Sequence, residues 1–293
     1  MEWRRRRFRS AIAASAAVFL VAVPISSPCA LAASRPQNPV PSSFERGRRD
    51  IPKLALTFDG GGDAGETERI LEVLEQRGVI ATFFLTGEYI RHNPDLVRRI
   101  AAAGHEVGNH TWSHPHLTAW NRTRRHDTLA GVDGAFVRGE LTQTARAYEA
   151  ATGRPMLALW RAPFGEVNDE LIRWAAAAGW SHVGWTRDDL GGRHTLDSLD
   201  WVSERSSRNY LSSEQIGARI RTFGTGRAGL NGGVVLMHLS TRRDDPEVTR
   251  LGELVDALRG DGYSLVTVTE LQREVSPSSA HPPLTAALSR PRE

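Results

Sequence analysis

"KLALTFDGGGD", Lys53 to Asp63, decides how this chain is read. An apolar run stops at a carboxylate, Asp59; three glycines follow, and then a second carboxylate, Asp63. A structural turn needs one glycine. Three in succession leave a backbone without Cβ atoms, which a ligand can approach closely. The stretch therefore reads as a buried strand that delivers Asp59 to the edge of a site.

Outward from this strand the pattern alternates. "AGETERILEVLEQRGV" predicts a helix with Ile70, Leu71 and Leu74 on one side, "IATFFLTG" a buried strand, "NPDLVRRIAAAGH" a helix stopped by Gly104, and "EVGNH" a short strand. Another helix is predicted near Val132 to Thr152, where Val137, Leu141, Ala145 and Tyr148 recur at helical spacing. "MLALWRAP", "SHVGWTRD", "GGVVLMH" and "YSLVTVTEL" read as further strands with helices between them. Repeated β-α units mean an α/β fold with a parallel sheet, open or closed into a barrel. Five of the strands carry a polar residue near their C-terminal end: Asp59, His110, Arg161, Asp188 and His238. Parallel sheets place their active sites at those ends, and these residue types suit hydrolysis.

The 293 residues suffice for one large domain or two small ones, and 40% hydrophobic with 24% charged residues is ordinary for a soluble globular protein. The formal net charge is +3, but five of the 37 Lys and Arg and one of the 34 Asp and Glu lie within residues 1–32. Without them the net charge is −1, which gives no support to a nucleic-acid partner or an anionic membrane surface. That segment joins "MEWRRRRFRS" to an apolar run and to "ALA" at Ala30–Ala32, the pattern of a cleaved signal peptide over residues 1–32. The run is too short and too rich in alanine for a stable membrane span, so none is expected after cleavage. The single cysteine, Cys29, would leave with it. Residues 33–51 read as a flexible linker, 52–275 as one catalytic domain and 276–293 as a disordered tail. A secreted or cell-wall-associated protein is expected.

"NHTWSHPH" places His110 and His114 four residues apart. Within a helical turn, or a loop tightening into one, that spacing brings two imidazoles to one metal. Imidazole favours Zn²⁺, Co²⁺ or Ni²⁺ over Mg²⁺. His116 reads as a rim residue and His182, at the start of a strand, as structural.

With these stretches together, the chain resembles the NodB-type polysaccharide deacetylases, carbohydrate esterase family four. "TFDGGGD" is similar to their first motif, Thr-Phe-Asp-Asp-Gly; "HTWSH" to the second, "RAPFG" to the third, "WTRDDLGG" to the fourth and "VLMH" to the fifth. The resemblance runs in order over about residues 53–272. It implies a distorted (β/α) barrel, a divalent metal (Zn, with Co or Ni as alternatives) and removal of acetyl groups from acetylated glycans such as peptidoglycan or chitin-type sugars. It implies Asp59 as general base, Arg161 as its partner, and His110 and His114 as metal ligands. It further implies the Phe164 N–H as an oxyanion donor, His238 as general acid with Asp188 on its other nitrogen, and Leu236 in the acetyl-methyl pocket. An O-acetyl xylan esterase and a catalytically impaired glycan-binding protein are the alternatives.

Two departures stand out. The family's second carboxylate falls on Gly60, and the fourth motif's Trp falls near Gly192, unless Trp185 or Trp201 replaces it. Asp200-Trp201 offers another reading of that motif, with Asp188 preferred because it ends a predicted strand, and Asp189 as its fallback. Asp63 is expected either to replace the missing metal-ligating carboxylate or to cap the following helix through "DAGE".

Overall fold

A computed structural model describes residues 43–188, 194–224 and 229–275. The expected signal peptide, residues 33–42 of the expected linker, the tail, Asp189 and Gly192 lie outside the described residues. In chain order the elements are β1 (Lys53–Gly60), α1 (Thr67–Gln76), β2 (Thr82–Leu85), α2 (Gly87–His92), α3 (Pro94–Ala102), β3 (Glu106–Asn109), α4 (Trp120–Thr123), α5 (Gly134–Thr152), β4 (Leu159–Trp160), α6 (Asp169–Ala177), β5 (Ser181–His182), α7 (Ser213–Arg221), β6 (Gly233–His238), α8 (Val248–Gly260), β7 (Ser264–Leu265) and α9 (Val268–Val275). The strands run parallel in the order β5-β4-β3-β2-β1-β6, with β7 against the start of β1.

Alternation along the strands sorts their side chains into two layers. On β1, Leu54, Leu56 and Phe58 face the helices, packing with Ile70, Leu71 and Leu74 of α1 and with Leu251 and Val255 of α8. Ala55, Thr57 and Asp59 face the other way. The inner floor is apolar, with Ala55, Phe84, Val234 and Leu271 of α9 in one cluster. Asp59 stands above this floor, opposite His238 in the β1–β6 register.

The sheet curls, and irregular segments span the gap between its edges, β5 and β6. Phe44 bridges Val183, and Arg46 bridges Gly233. The Phe44 N–H donates to His182 O at 2.9 Å and the Gly47 N–H to Gly232 O at 2.8 Å. From the other side, the Thr186 N–H donates to Val234 O (3.1 Å) and the Leu236 N–H to Leu196 O (2.8 Å). Residues 43–47 are therefore part of the folded body, not the flexible linker expected over 33–51; unpaired sheet-edge groups recruit them.

Three strand expectations are shortened. "MLALWRAP" is strand only at Leu159–Trp160. "SHVGWTRD" is strand only at Ser181–His182, because the chain then leaves β4 to bond Phe44 and Val234. Asp188 therefore does not end a strand. "YSLVTVTEL" becomes helix α9 at Val268, whose N–H is taken by the Thr82 hydroxyl at 3.0 Å.

Candidate active site

Asp59 and Arg161 form the base of the site. Both are buried, and Arg161 Nη1 donates to Asp59 Oδ1 at 2.8 Å and to the Thr57 hydroxyl at 2.8 Å. Arg161 also donates to Val183 O (3.2 Å) and Gly184 O (3.0 Å), and its guanidinium lies over the Phe84 ring at 4.2 Å. Burial pushes the Asp59 carboxyl up, but Arg161, with His110 and His238, outweighs it and holds the group below its ordinary range. Asp59 is thus an ionised acceptor in a dry corner.

The loop after β3 carries the imidazoles. Thr111 (φ 67°) and His114 (φ 54°) occupy the left-handed region that side chains other than glycine's disfavour. The surroundings hold this shape: Glu140 of α5 accepts from the Trp112 and Ser113 N–H groups at 2.9 Å each, and the Thr111 N–H reaches Asn109 Oδ1 at 2.9 Å. The two rings meet edge to face, with centroids 4.9 Å apart. His110 Nδ1 lies 2.9 Å from Arg161 O. A carbonyl only accepts, so Nδ1 carries the proton and Nε2 presents a lone pair. That lone pair faces Asp59 Oδ2 at 3.6 Å. Burial lowers the pKa of His110, and that of His114 to about 3, so both rings are neutral. Two neutral imidazoles beside a carboxylate, one of them aiming a lone pair at it, are a donor set that fits a divalent cation. Among the described residues no three such side chains already form a complete cage.

His238 is paired differently from the expectation. Its Nδ1 lies 2.7 Å from Asp200 Oδ1, and its backbone N–H donates to Asp200 Oδ2 at 2.8 Å. Burial pushes its pKa down, but Asp200 outweighs this, with Asp59 and Asp197 adding to it, and the group is raised to about 9. His238 is an imidazolium at neutral pH. Asp188, assigned to this contact from sequence, instead closes a loop: its N–H donates to His194 O at 2.8 Å, and its Oδ2 accepts from the His194 N–H at 3.1 Å. The reason is the early end of β5. The Ser198 N–H meets Leu236 O at 3.0 Å, and buried Asp200, two residues on, lies beside His238.

Asp59, His110, His114, Phe164, Leu236 and His238 line one open cleft of about 550 Å³, a size that suits a ligand rather than a packing defect. Phe164 (φ 57°) is 54% exposed, stacked on His116 at 4.2 Å and edge-on to His114 at 4.4 Å. His116 is anchored in turn by Glu166 at 2.7 Å. Trp185 and Trp201 both stand in the cleft wall, which supplies the aromatic surface expected near Gly192. Asp63 neither lines the cleft with His110 and His114 nor caps a helix. It is exposed beside Arg242 (3.4 Å), and α1 starts at Thr67 with no side-chain cap. The glycine turn carries it outward. The space at Gly60 is filled as well: a Cβ there would meet Leu85 Cδ2 at 2.8 Å and Leu239 Cδ1 at 2.9 Å.

A family model described as polysaccharide deacetylase matches residues 46–183. Over 227 residues the chain is 30% identical to a chitooligosaccharide deacetylase of Bradyrhizobium sp., covering 74% of this chain and 89% of that protein. The chain belongs to the polysaccharide deacetylases. It is 31% identical over 185 residues to a peptidoglycan-N-acetylglucosamine deacetylase of Bacillus cereus, covering 62% of this chain and 59% of that one. In structure this polysaccharide deacetylase aligns with a CE4 family pseudoenzyme of Bacillus anthracis at TM-score 0.61 and 26% identity, over 80% of this chain and 70% of that one. A mutant of that pseudoenzyme with restored enzymatic activity aligns at TM-score 0.63 and 26% identity, over 80% of this chain and 72% of that one. The distorted α/β barrel and the hydrolase class expected of a polysaccharide deacetylase both stand.

From sequence, Asp200-Trp201 stands as the second choice behind Asp188, and Trp201 as one of two candidates for the missing wall; Glu140 and Glu166, under the loops, are not assigned at all. For the first two a signal existed. "DSLDW" places an Asp directly before a Trp, the pairing the fourth motif calls for. Glu140 and Glu166 act through backbone N–H groups far along the chain, which no local pattern reveals.

Proposed function

We propose that this protein is an exported, metal-dependent hydrolase that removes N-acetyl groups from a cell-wall glycan, peptidoglycan first. The observation that carries this reading is the pair opposed across β1 and β6. Asp59 is held ionised and His238 is held charged, side by side over one cleft. A base and an acid with pKa values pushed apart are what hydrolysis of an amide needs. His110 and His114 would hold the cation, with Asp59 beside them; when bound it supplies Lewis acidity toward the acetyl carbonyl and the attacking water. Asp59 takes the proton of that water, and Arg161 keeps Asp59 ionised and fixed. The Phe164 N–H, on a backbone held at positive φ, faces the oxygen that gains charge, as in an oxyanion hole. Leu236 accepts the acetyl methyl. His238 gives its proton to the departing nitrogen, and Asp200 steadies the imidazolium. Phe164, Trp185 and Trp201 offer flat faces to sugar rings.

A second reading is favoured by Gly60, where the family's carboxylate is absent and its space is packed: a glycan-binding domain without turnover. Acetate release separates the two. Wild-type protein should release acetate from N-acetylated peptidoglycan or chitin oligomers, stop in chelator, and resume with added Zn²⁺ or Co²⁺. His114→Ala should lose metal binding while remaining folded. Glycan binding with no acetate release under any metal would establish the second reading instead.

A further inference from the structure

Beside the His238–Asp200 pair lies a small cavity of about 10 Å³, which has room for roughly one water molecule. Asp200, Thr241 and Glu247 line it together with His238 and Glu66, with Phe58, Ile70 and Leu251 among its apolar walls. Glu247 is 3% exposed, and neither of its carboxyl oxygens has a hydrogen-bond partner among the described residues; nor has the buried Thr241 hydroxyl. Three buried oxygens on residues that line this one small space thus have no partner among the described residues, and His238 lines the same space.

Among the described residues no cation pairs with Glu247; Arg243 and Arg250 draw its pKa down but are held elsewhere. Arg243 is occupied by Val202 O at 2.7 Å, by Leu211 O and by Asp245, itself an added negative charge nearby. Arg250 pairs with Glu253 at 2.6 Å, and Glu66, on the opposite wall, pairs with Arg69 at 2.7 Å. Glu247 precedes α8, whose dipole favours a negative charge there, yet it makes no side-chain cap. Against that weak help stand its burial and the negative charge of Asp200, itself fully buried and paired with His238. Burial first, then Asp200, pushes the Glu247 carboxyl up to about 9.

A neutral carboxyl is a donor. Each oxygen of Asp200 accepts one bond from His238 and keeps acceptor capacity on its far side. We propose that Glu247 is a protonated positioning residue which, through one water shared with Thr241, fixes Asp200 behind His238. Asp200 needs such support because it sits on an irregular turn, next to Leu199 at φ 61°, and not on a strand. A neutral acid orients Asp200 without adding a second negative charge, which would bind the His238 proton too firmly for it to be given up. The proposal rests on the reading of His238 as the acid.

The test compares Glu247→Gln with Glu247→Leu in the full chain. Infrared difference spectra at neutral pH should show a protonated-carboxyl band that Glu247→Gln removes. By NMR, the His238 titration midpoint should fall by about one unit in Glu247→Leu and stay in place in Glu247→Gln. In acetate release, Glu247→Leu should lower kcat about ten-fold with KM within about two-fold, and the Gln variant should recover it. Stability of the Leu variant should equal or exceed wild type, since a buried acid is replaced by an apolar group of similar size. A lower midpoint in Glu247→Gln, or no protonated band, would mean an ionised Glu247 and overturn the proposal. So would a Leu variant with wild-type midpoint and kcat. The infrared and NMR readouts need no turnover, so they still decide the role of Glu247 if no glycan releases acetate.

Discussion

At the scale of single residues, the site depends on charges that each have one main partner. Arg161→Met would leave Asp59 buried without its counter-ion, and should cost about 3–5 kcal/mol in chemical denaturation. The pH dependence has opposite signs at the two ends of the cleft. The depressed Asp59 contributes stability above its unfolded value near 3.8, and this is lost as pH falls further. The raised His238 contributes fully below 6.5, and its contribution is lost as pH rises through about 9. The wild-type stability curve should fall on both sides, and Arg161→Met should flatten the acid side. That Asp59, His110, His114, Phe164, Leu236 and His238 gather at one cleft, with Arg161 against Asp59, could be expected from the sequence because each lies near or just beyond the C-terminal end of a parallel strand; their roles belong to the proposal. Asp200 ranks below Asp188 in the sequence because "SHVGWTRD" reads as a strand to its end, whereas β5 stops at His182. Asp63 was misread because three glycines leave direction undetermined, and Gly60 was judged only by what it lacks, whereas Leu85 and Leu239 occupy its surroundings.

At the scale of elements, the loop after β3 and helix α5 work as one unit. Glu140 accepts two N–H bonds from a segment holding two non-glycine residues at positive φ. Glu140→Ala should therefore cost about 1–3 kcal/mol and weaken metal binding more than stability, as measured by calorimetric metal titration beside thermal melts. If metal affinity is unchanged, the loop holds its shape without α5. Helices α1, α3 and α5 were legible from their buried faces, and β1, β2, β3 and β6 from their apolar runs. β5 and β7 were drawn too long, because apolar residues that bridge edges or enter α9 read the same as strand residues until their hydrogen-bond partners are known.

At the scale of the whole molecule, the fold brings Asp59 from β1, His110 and His114 from the loop after β3 and His238 from β6 to one end of a curled sheet, whose edges residues 43–47 bridge. A chain beginning at residue 40 should melt as the full chain does, whereas one beginning at Lys53 should lose several degrees or fail to fold, since it exposes both sheet edges. Equal melting of the two would mean that the N-terminal segment is dispensable. In the proposed function Asp59 and His238, the latter set by Asp200, act as base and acid on an N-acetylated glycan. The pH profile of kcat/KM for acetate release in wild type, Asp200→Asn and Asp188→Asn checks this. The expected profile is a bell whose alkaline limb lies near 9, moves to lower pH with a loss of about 10²-fold or more in Asp200→Asn, and stays in place in Asp188→Asn. An alkaline limb that moves with Asp188 and not with Asp200 would contradict it.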